Sequence, residues 1–306
     1  MTMTVPAQPT SAGPPATSGR NSGLEFALSA PQRAMIDDVV AAESRADRRQ
    51  TWLLMVGRVA FVAFVLGLWE LGANRVFDEF FFSKPSAVAR SLWEGFTERD
   101  LLRHTYVTMV EAVLGYIVGA ITALLAAIAA IWWPRAYRLV EPIMVAIYGI
   151  PRIALAPMFI LWLGIGLSSK VIIAAFMTFF VVFMNSVAGL AGVNRNLIQV
   201  SRMMGGGRIA LLYKVMLPSA LPYIMTALKI VVPTAMIGAL VGEFISSQRG
   251  LGFFIRSASA GFDIALSFAA VIVLMVTVLT FNGLVALAER RLMRWRQFDG
   301  AVRLDR

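Results

Sequence analysis

Six long, mostly apolar stretches run through this chain, at roughly 51–73, 106–132, 139–163, 170–192, 219–245 and 264–288. A helix rises ~1.5 Å per residue, so each is long enough to cross the ~30 Å hydrocarbon core of a bilayer. Lipid offers no hydrogen-bond partners, so a spanning helix must satisfy its backbone within itself. The expected fold is therefore all-α, a polytopic membrane protein with about six transmembrane helices. Composition agrees. Apolar residues make up 58% of the 306 and charged residues 15%, and the mean hydropathy is +0.72. Soluble domains run near half apolar and about a quarter charged.

The formal net charge of +10 is spread along the flanks of the apolar runs. That distribution suits anionic lipid and topology setting, not a nucleic-acid surface. With a cytoplasmic N-terminus, the inner segments hold 17 Lys and Arg, against 8 in the outer ones, Lys170 among them. The 193–218 loop decides the orientation, with Arg195, Arg202, Arg208 and Lys214 and no acidic residue in a short segment. Both termini are expected inside, in a bacterial inner membrane. Residues 1–50 read as a cytoplasmic extension, disordered and then, over 29–49, a short amphipathic helix. Residues 51–104 hold the first span and an external segment, 105–290 the permeation core, and 291–306 a cytoplasmic tail.

Several chemistries are excluded. The chain has no cysteine, so disulfides, thiol catalysis and thiolate-held metals are out. His104 is the single histidine, expected in a loop, and no multi-histidine metal site is possible. No G-x-x-x-x-G-K-[ST] phosphate loop occurs, since Gly205-Gly206-Gly207-Arg208 lacks the lysine and a preceding strand. No cofactor and no catalytic residue is assigned, and any ATP hydrolysis must occur in a partner.

The 193–218 loop has the parts of a cytoplasmic handle. Gln199 to Met204 is expected to make one or two helical turns, the three glycines to bend the chain, and Arg208 to Met216 to form a second short helix. Leu217-Pro218 is expected to end it, because proline cannot continue a helix but suits the first turn of the next. Gln199-Val200-Ser201-x-x-x-Gly205-x(9)-Val215-x-Leu217-Pro218 resembles the E-A-A-x-x-x-G-x(9)-I-x-L-P loop of binding-protein-dependent ABC importer permeases. It departs from that pattern at its first three positions, where Glu-Ala-Ala is replaced.

Other residues extend the resemblance over about 80–296. Ile150-Pro151-Arg152-Ile153-Ala154-Leu155-Ala156-Pro157, then Leu161-Trp162-Leu163-Gly164-Ile165-Gly166, is similar to a signature of the nitrate, sulfonate and taurine branch. Lys84-Pro85-Ser86, Gly242-Glu243, Gly250-Leu251-Gly252 and the Glu289–Trp295 stretch resemble that branch too. The resemblance implies a MetI-like permease fold and ATPase coupling through Gln199, Ser201, Arg202, Gly205, Gly206, Arg208, Leu217 and Pro218. It implies three partners: an ABC ATPase subunit, an extracytoplasmic substrate-binding protein and a second permease copy. The substrate it implies is a small anion such as a sulfonate, taurine or nitrate, with uncharged heterocycles handled by relatives.

Polar residues within the spans mark a candidate translocation path: Pro151, Arg152, Pro157, Asn185 and Glu243. The prolines Pro142, Pro151 and Pro157 interrupt the third span, either as kinks or as broken helices facing a cavity. Arg152 either attracts an anion or satisfies carbonyls freed by the prolines. Asn185 is expected to bond between helices. Glu243 reads as a structural or gating residue in preference to a proton carrier, and it lies too far along the helix from Lys229 to pair with it. The depth of Lys229 stays open. Gly115 and Gly119 have the spacing that lets membrane helices approach closely. The competing functional class is a stand-alone secondary transporter or channel, which needs intramembrane ion or proton sites. A purely structural scaffold leaves the bent loop unexplained.

Overall fold

The structure is a computed structural model that describes residues 52–73 and 79–293. The expectations for residues 1–50 and for most of the 291–306 tail fall outside the described residues. The chain divides into two compact units, Met1–Val65 and Leu66–Arg306. In the first, the described residues form the opening part of helix α1 (Trp52–Gly72). The second holds the rest.

The second unit is built from helices. After α2 (Glu79–Phe82) and α3 (Pro85–Glu98), helix α4 runs over Leu101–Trp132. Its 32 residues give ~48 Å of length, more than a bilayer core requires. His104 lies inside this helix, not in a loop. The apolar stretch read as the third span is a bent pair. Helix α5 (Pro134–Gly149) and a 3₁₀ turn over Arg152–Leu155 lead into α6 (Ala156–Leu163), with an axis change of 90°. Only one of the three prolines sits at the break. Pro142 is carried within α5, and Pro157 occupies the first turn of α6, where its missing N–H costs nothing. Pro151 forces the break by pushing Ile150 into extended backbone, at φ −69° and ψ 138°.

Helix α7 (Leu167–Ala191) follows, then the loop elements α8 (Arg195–Met203) and α9 (Arg208–Leu211). Leu217-Pro218 does not end the helix that starts at Arg208. Pro218 has no N–H for the Lys214 carbonyl, and the chain absorbs this with one π turn over Leu212–Met216, in which the Leu217 N–H bonds to Leu212 O. The helix passes on into α10 (Leu217–Ile230) and α11 (Val232–Ser246). The elements α12 (Leu251–Ala260) and α13 (Ile264–Leu292) complete the described chain. Among the described residues, five helices are long and apolar enough to cross a membrane, or six if the bent pair counts as one span.

Helix α7 is the centre of this unit, packed against α4, α10 and α11. Small residues let α4 and α11 close on it from two sides. A Cβ on Gly115 would lie 2.4 Å from Ala174 Cβ, and one on Gly119 would lie 2.5 Å from Ala175 O. On the α11 side, a Cβ on Gly238 would meet Ala174 Cα at 2.6 Å. Membrane helices gain no hydrophobic drive against lipid, so this backbone contact supplies packing energy in its place. Helix α13 packs on α3 and α12, and Phe281 sets its ring edge-on to Tyr116 of α4.

Candidate functional site

Two regions combine polar chemistry with exposed or cavity-lining surface. One follows the C-terminal end of α7 and the other surrounds its N-terminal end.

At the C-terminal end, Asn194 caps α8 by accepting the Asn196 N–H at 2.9 Å. The other end of α8 is closed by two crossed bonds, Gly206 N–H to Ser201 O at 2.9 Å and Gly205 N–H to Arg202 O at 3.0 Å. That is the Schellman arrangement, which needs a left-handed residue after the cap. Gly205 supplies it with φ +81°. Gly206 is needed for a different reason, since a Cβ there would lie 2.7 Å from the Ser201 carbonyl oxygen. The bend expected at the glycines is therefore a fixed corner. Beyond it, buried Leu211 and Leu212 root the element in the bundle.

The outer surface of this corner is apolar and basic. Leu197, Val200, Met203, Met204 and Ile209 are exposed, with Met204 at 83%. Gln199, Arg202 and Arg208 are exposed beside them, and Ser201 is half-buried. Arg202 and Arg208 both line a cavity of about 320 Å³ that also touches Trp132 and Pro134, at the α4–α5 junction. Leu217 is half-buried and Pro218 exposed at the start of α10.

At the other end of α7, two linked polar networks cross four elements. Lys170 donates to Glu111 Oε1 of α4 at 2.7 Å and to Ser247 Oγ at 2.8 Å. Lys170 is 6% exposed and Glu111 2%. Sequence reading took Lys170 as an outer flanking cation, whereas it is a buried member of an ion pair. A few ångströms on, Glu243 is fully buried in α11. Its Oε1 accepts from Thr108 Oγ1 at 2.7 Å and its Oε2 from the Gly252 N–H at 2.6 Å. Thr108 in turn accepts the Leu251 N–H, and His104 Nδ1 accepts the Gly250 N–H. The first turn of α12 is thus tied to α4 and α11 by side chains that take its orphan N–H groups. The Gly250-Leu251-Gly252 motif has its explanation here, as the partner of Glu243.

Glu111, Lys170 and Ser247 line one side of a cavity of about 850 Å³, with Arg249, Arg256 and Tyr106 around it. Sequence reading missed Glu111, Thr108 and this role for His104. The signal was present, because residues 104, 108, 111 and 115 recur every three or four positions and share one face of α4.

The other predicted path residues are not gathered there. Arg152 donates to Met177 O at 3.2 Å and lies 5.0 Å from the Tyr148 ring centre, so it serves a carbonyl. Pro151 and Pro157 flank it and are exposed. Asn185 corrects the expectation of an interhelical bond, since its amide donates within α7 to Val181 O. Lys229, left open by sequence, forms an ion pair with Glu289 of α13.

Residues 115–294 match the family described as the binding-protein-dependent transport system inner membrane component. The chain is similar to the formylaminopyrimidine transport permease protein ThiX of Halalkalibacterium halodurans, 32% identical over 78% of this chain and 94% of that one. It is similar to the riboflavin transport system permease protein RibX of Chloroflexus aurantiacus, 33% identical over 84% of this chain and 96% of that one. The taurine transport system permease protein TauC of Escherichia coli is 28% identical over 84% and 98%. Among solved structures, the MetNI methionine ABC transporter in an inward facing conformation has 22% identity and a TM-score of 0.50, covering 69% of this chain and 96% of that chain. That likeness is one of fold.

Proposed function

The chain belongs to the binding-protein-dependent ABC importer permeases, a family of multi-pass membrane proteins, and from that premise we propose that it forms the translocation path of an importer whose motor grips the corner at 193–218. In this reading ATP is hydrolysed by a separate ATPase subunit. An extracytoplasmic binding protein delivers the substrate, and a second copy of the permease completes the path. Both termini lie in the cytoplasm.

The observation that carries the reading is the capped, rigid corner at Gly205 and Gly206, with Leu197, Val200, Met203 and Met204 exposed along it. Force passes through a rigid element and is lost in a slack one. Coupling also requires that ATP and the loaded binding protein each prefer one of two states of the permease. The chain has no cysteine, so a single Met204→Cys can be labelled without background. A membrane-impermeant maleimide should label it only from the cytoplasmic side, and co-expressed ATPase should protect it. Labelling of intact cells from outside sinks the proposal.

For the substrate, two features favour a neutral heterocycle. Relatives named for formylaminopyrimidine and riboflavin transport are 32% and 33% identical, against 28% for the taurine permease. In addition, Lys170 and Lys229 are each ion-paired with a glutamate, so neither offers an anion an unpaired cation. The anionic reading rests on the relatives named for taurine and aliphatic sulfonates. Uptake competition separates the two: excess pyrimidine or flavin should block uptake, and blockage by taurine alone selects the anion.

A further inference from the structure

Two buried carboxyl groups meet beside a single ammonium in the bundle. Glu111 Oε1 is taken by Lys170, while its Oε2 is buried with no hydrogen-bond donor. That carboxyl lies beside Glu243: Thr108, one turn before Glu111 on α4, donates to Glu243, and Gly242 packs on the Lys170 side chain. Glu243 has two donors, Thr108 and the Gly252 N–H, and neither is a cation.

Two ionised carboxylates in contact repel strongly, and burial removes the water that would screen them. A buried acceptor without a donor is itself costly. One proton removes both problems. It supplies the donor that Glu111 Oε2 lacks and leaves one negative charge against one positive. We propose that Glu111 and Glu243 bind a single shared proton, and that this proton locks the α11–α12 turn to α4 beside the large cavity.

The other ionisable groups around the pair do not replace that proton. Lys170 of α7 is already committed to Glu111 and Ser247. On α4, His104 accepts from Gly250 through Nδ1, and Asp100 and Arg103 act electrostatically on His104. Arg249 lines the cavity, and Arg256 of α12 gives a guanidinium N–H to Ser247 O. On α13, Asp263 is bound to Arg99 and Glu289 to Lys229. The lock has mechanical reach: Glu243 holds the start of α12, and Glu111 with Lys170 holds α4 to α7. Removing the proton sets two like charges in contact across that junction.

The test uses the full chain in lipid nanodiscs. A protonated carboxyl has an infrared C=O band that carboxylates lack, and it shifts in D2O. Wild type should show the band at neutral pH. Glu111→Gln should abolish it, because the amide oxygen still accepts from Lys170 while the amide N–H donates to an ionised Glu243. Glu243→Gln should abolish it too, and Glu289→Gln should keep it. As a second readout, raising the pH should lower the thermal midpoint of wild type and leave that of Glu111→Gln flat. Absence of the band in wild type, or its survival in both Glu111→Gln and Glu243→Gln, overturns the proposal. Parallel pH profiles for wild type and Glu111→Gln do so as well, and the wild-type spectrum decides even if a variant fails to fold.

Discussion

Glu243 and Gly250 stand so close that a Cβ on the glycine would lie 2.0 Å from the carboxylate Oε1. Gly250 also has φ +104° and ψ 164°, a region that is essentially glycine's alone. Two independent constraints therefore fall on one position. Gly250→Ala should destabilise the permease by at least about 2 kcal/mol, the strain alone being of order 1–3 kcal/mol. Gly261→Ala serves as control, since its added Cβ meets only ordinary contacts from 3.4 Å outward and its φ is −82°. Thermal unfolding in detergent, followed by retention on gel filtration, checks both.

The Lys170–Glu111 pair should behave as a buried ion pair. Removing one partner strands the other, at a cost of about 3–5 kcal/mol. Lys170→Met should therefore fold poorly, and adding Glu111→Gln should recover part of the loss, because the carboxylate that faced the ammonium is gone while Glu243 stays ionised. Expression level and thermal midpoint of the two singles and the double form a cycle that measures this. Additive losses in the double would show that the two side chains do not interact.

Much of this fold was legible in the sequence, for a physical reason. A bilayer imposes length and apolarity on each span, and both can be counted along the chain. Gly115 and Gly119 announced close helix contact, and α4 meets α7 there. The corner at Gly205 was legible because a left-handed residue after a helix is so often glycine. What stayed hidden depends on neighbours distant in sequence. Lys170 looked like a flanking cation because its partner lies 59 residues away on α4. Asn185 was expected to reach another helix, but a carbonyl one turn back was nearer. The passage of the helix through Pro218 depends on a π turn that no local propensity marks.

The three loop glycines should separate by mechanism. Gly205→Ala places a side chain at φ +81°, a left-handed strain of about 1–2 kcal/mol. Gly206→Ala drives a Cβ into the Ser201 carbonyl. Gly207 has nothing within 4 Å of an added Cβ, and Gly207→Ala should be silent. If the corner transmits force, the first two should lower ATP-driven uptake roughly 5- to 30-fold, the equivalent of that strain. Helical content by circular dichroism should stay at wild type. Equal effects at all three positions would mean that the loop needs slack, the opposite of a rigid handle.

Lys229 and Glu289 join the junction of α10 and α11 to the last turn of α13. Pro233, in the first turn of α11, has no N–H to give to the Lys229 carbonyl, and the helix is interrupted there for one residue, Val231. Tyr116 of α4 steadies the same point by donating to Leu228 O at 3.1 Å. The lysine side chain is 39% exposed and the glutamate 10%, so the pair is less enclosed than the Lys170–Glu111 pair. Swapping the charges, Lys229→Glu with Glu289→Lys, should therefore restore most of what either single change loses. Tyr116→Phe should cost about 1 kcal/mol, the net value of one hydrogen bond. Thermal midpoints of the four variants against wild type test the arrangement. A double swap less stable than both singles would mean that the surrounding helices, and not the charge pair, decide the geometry of that junction.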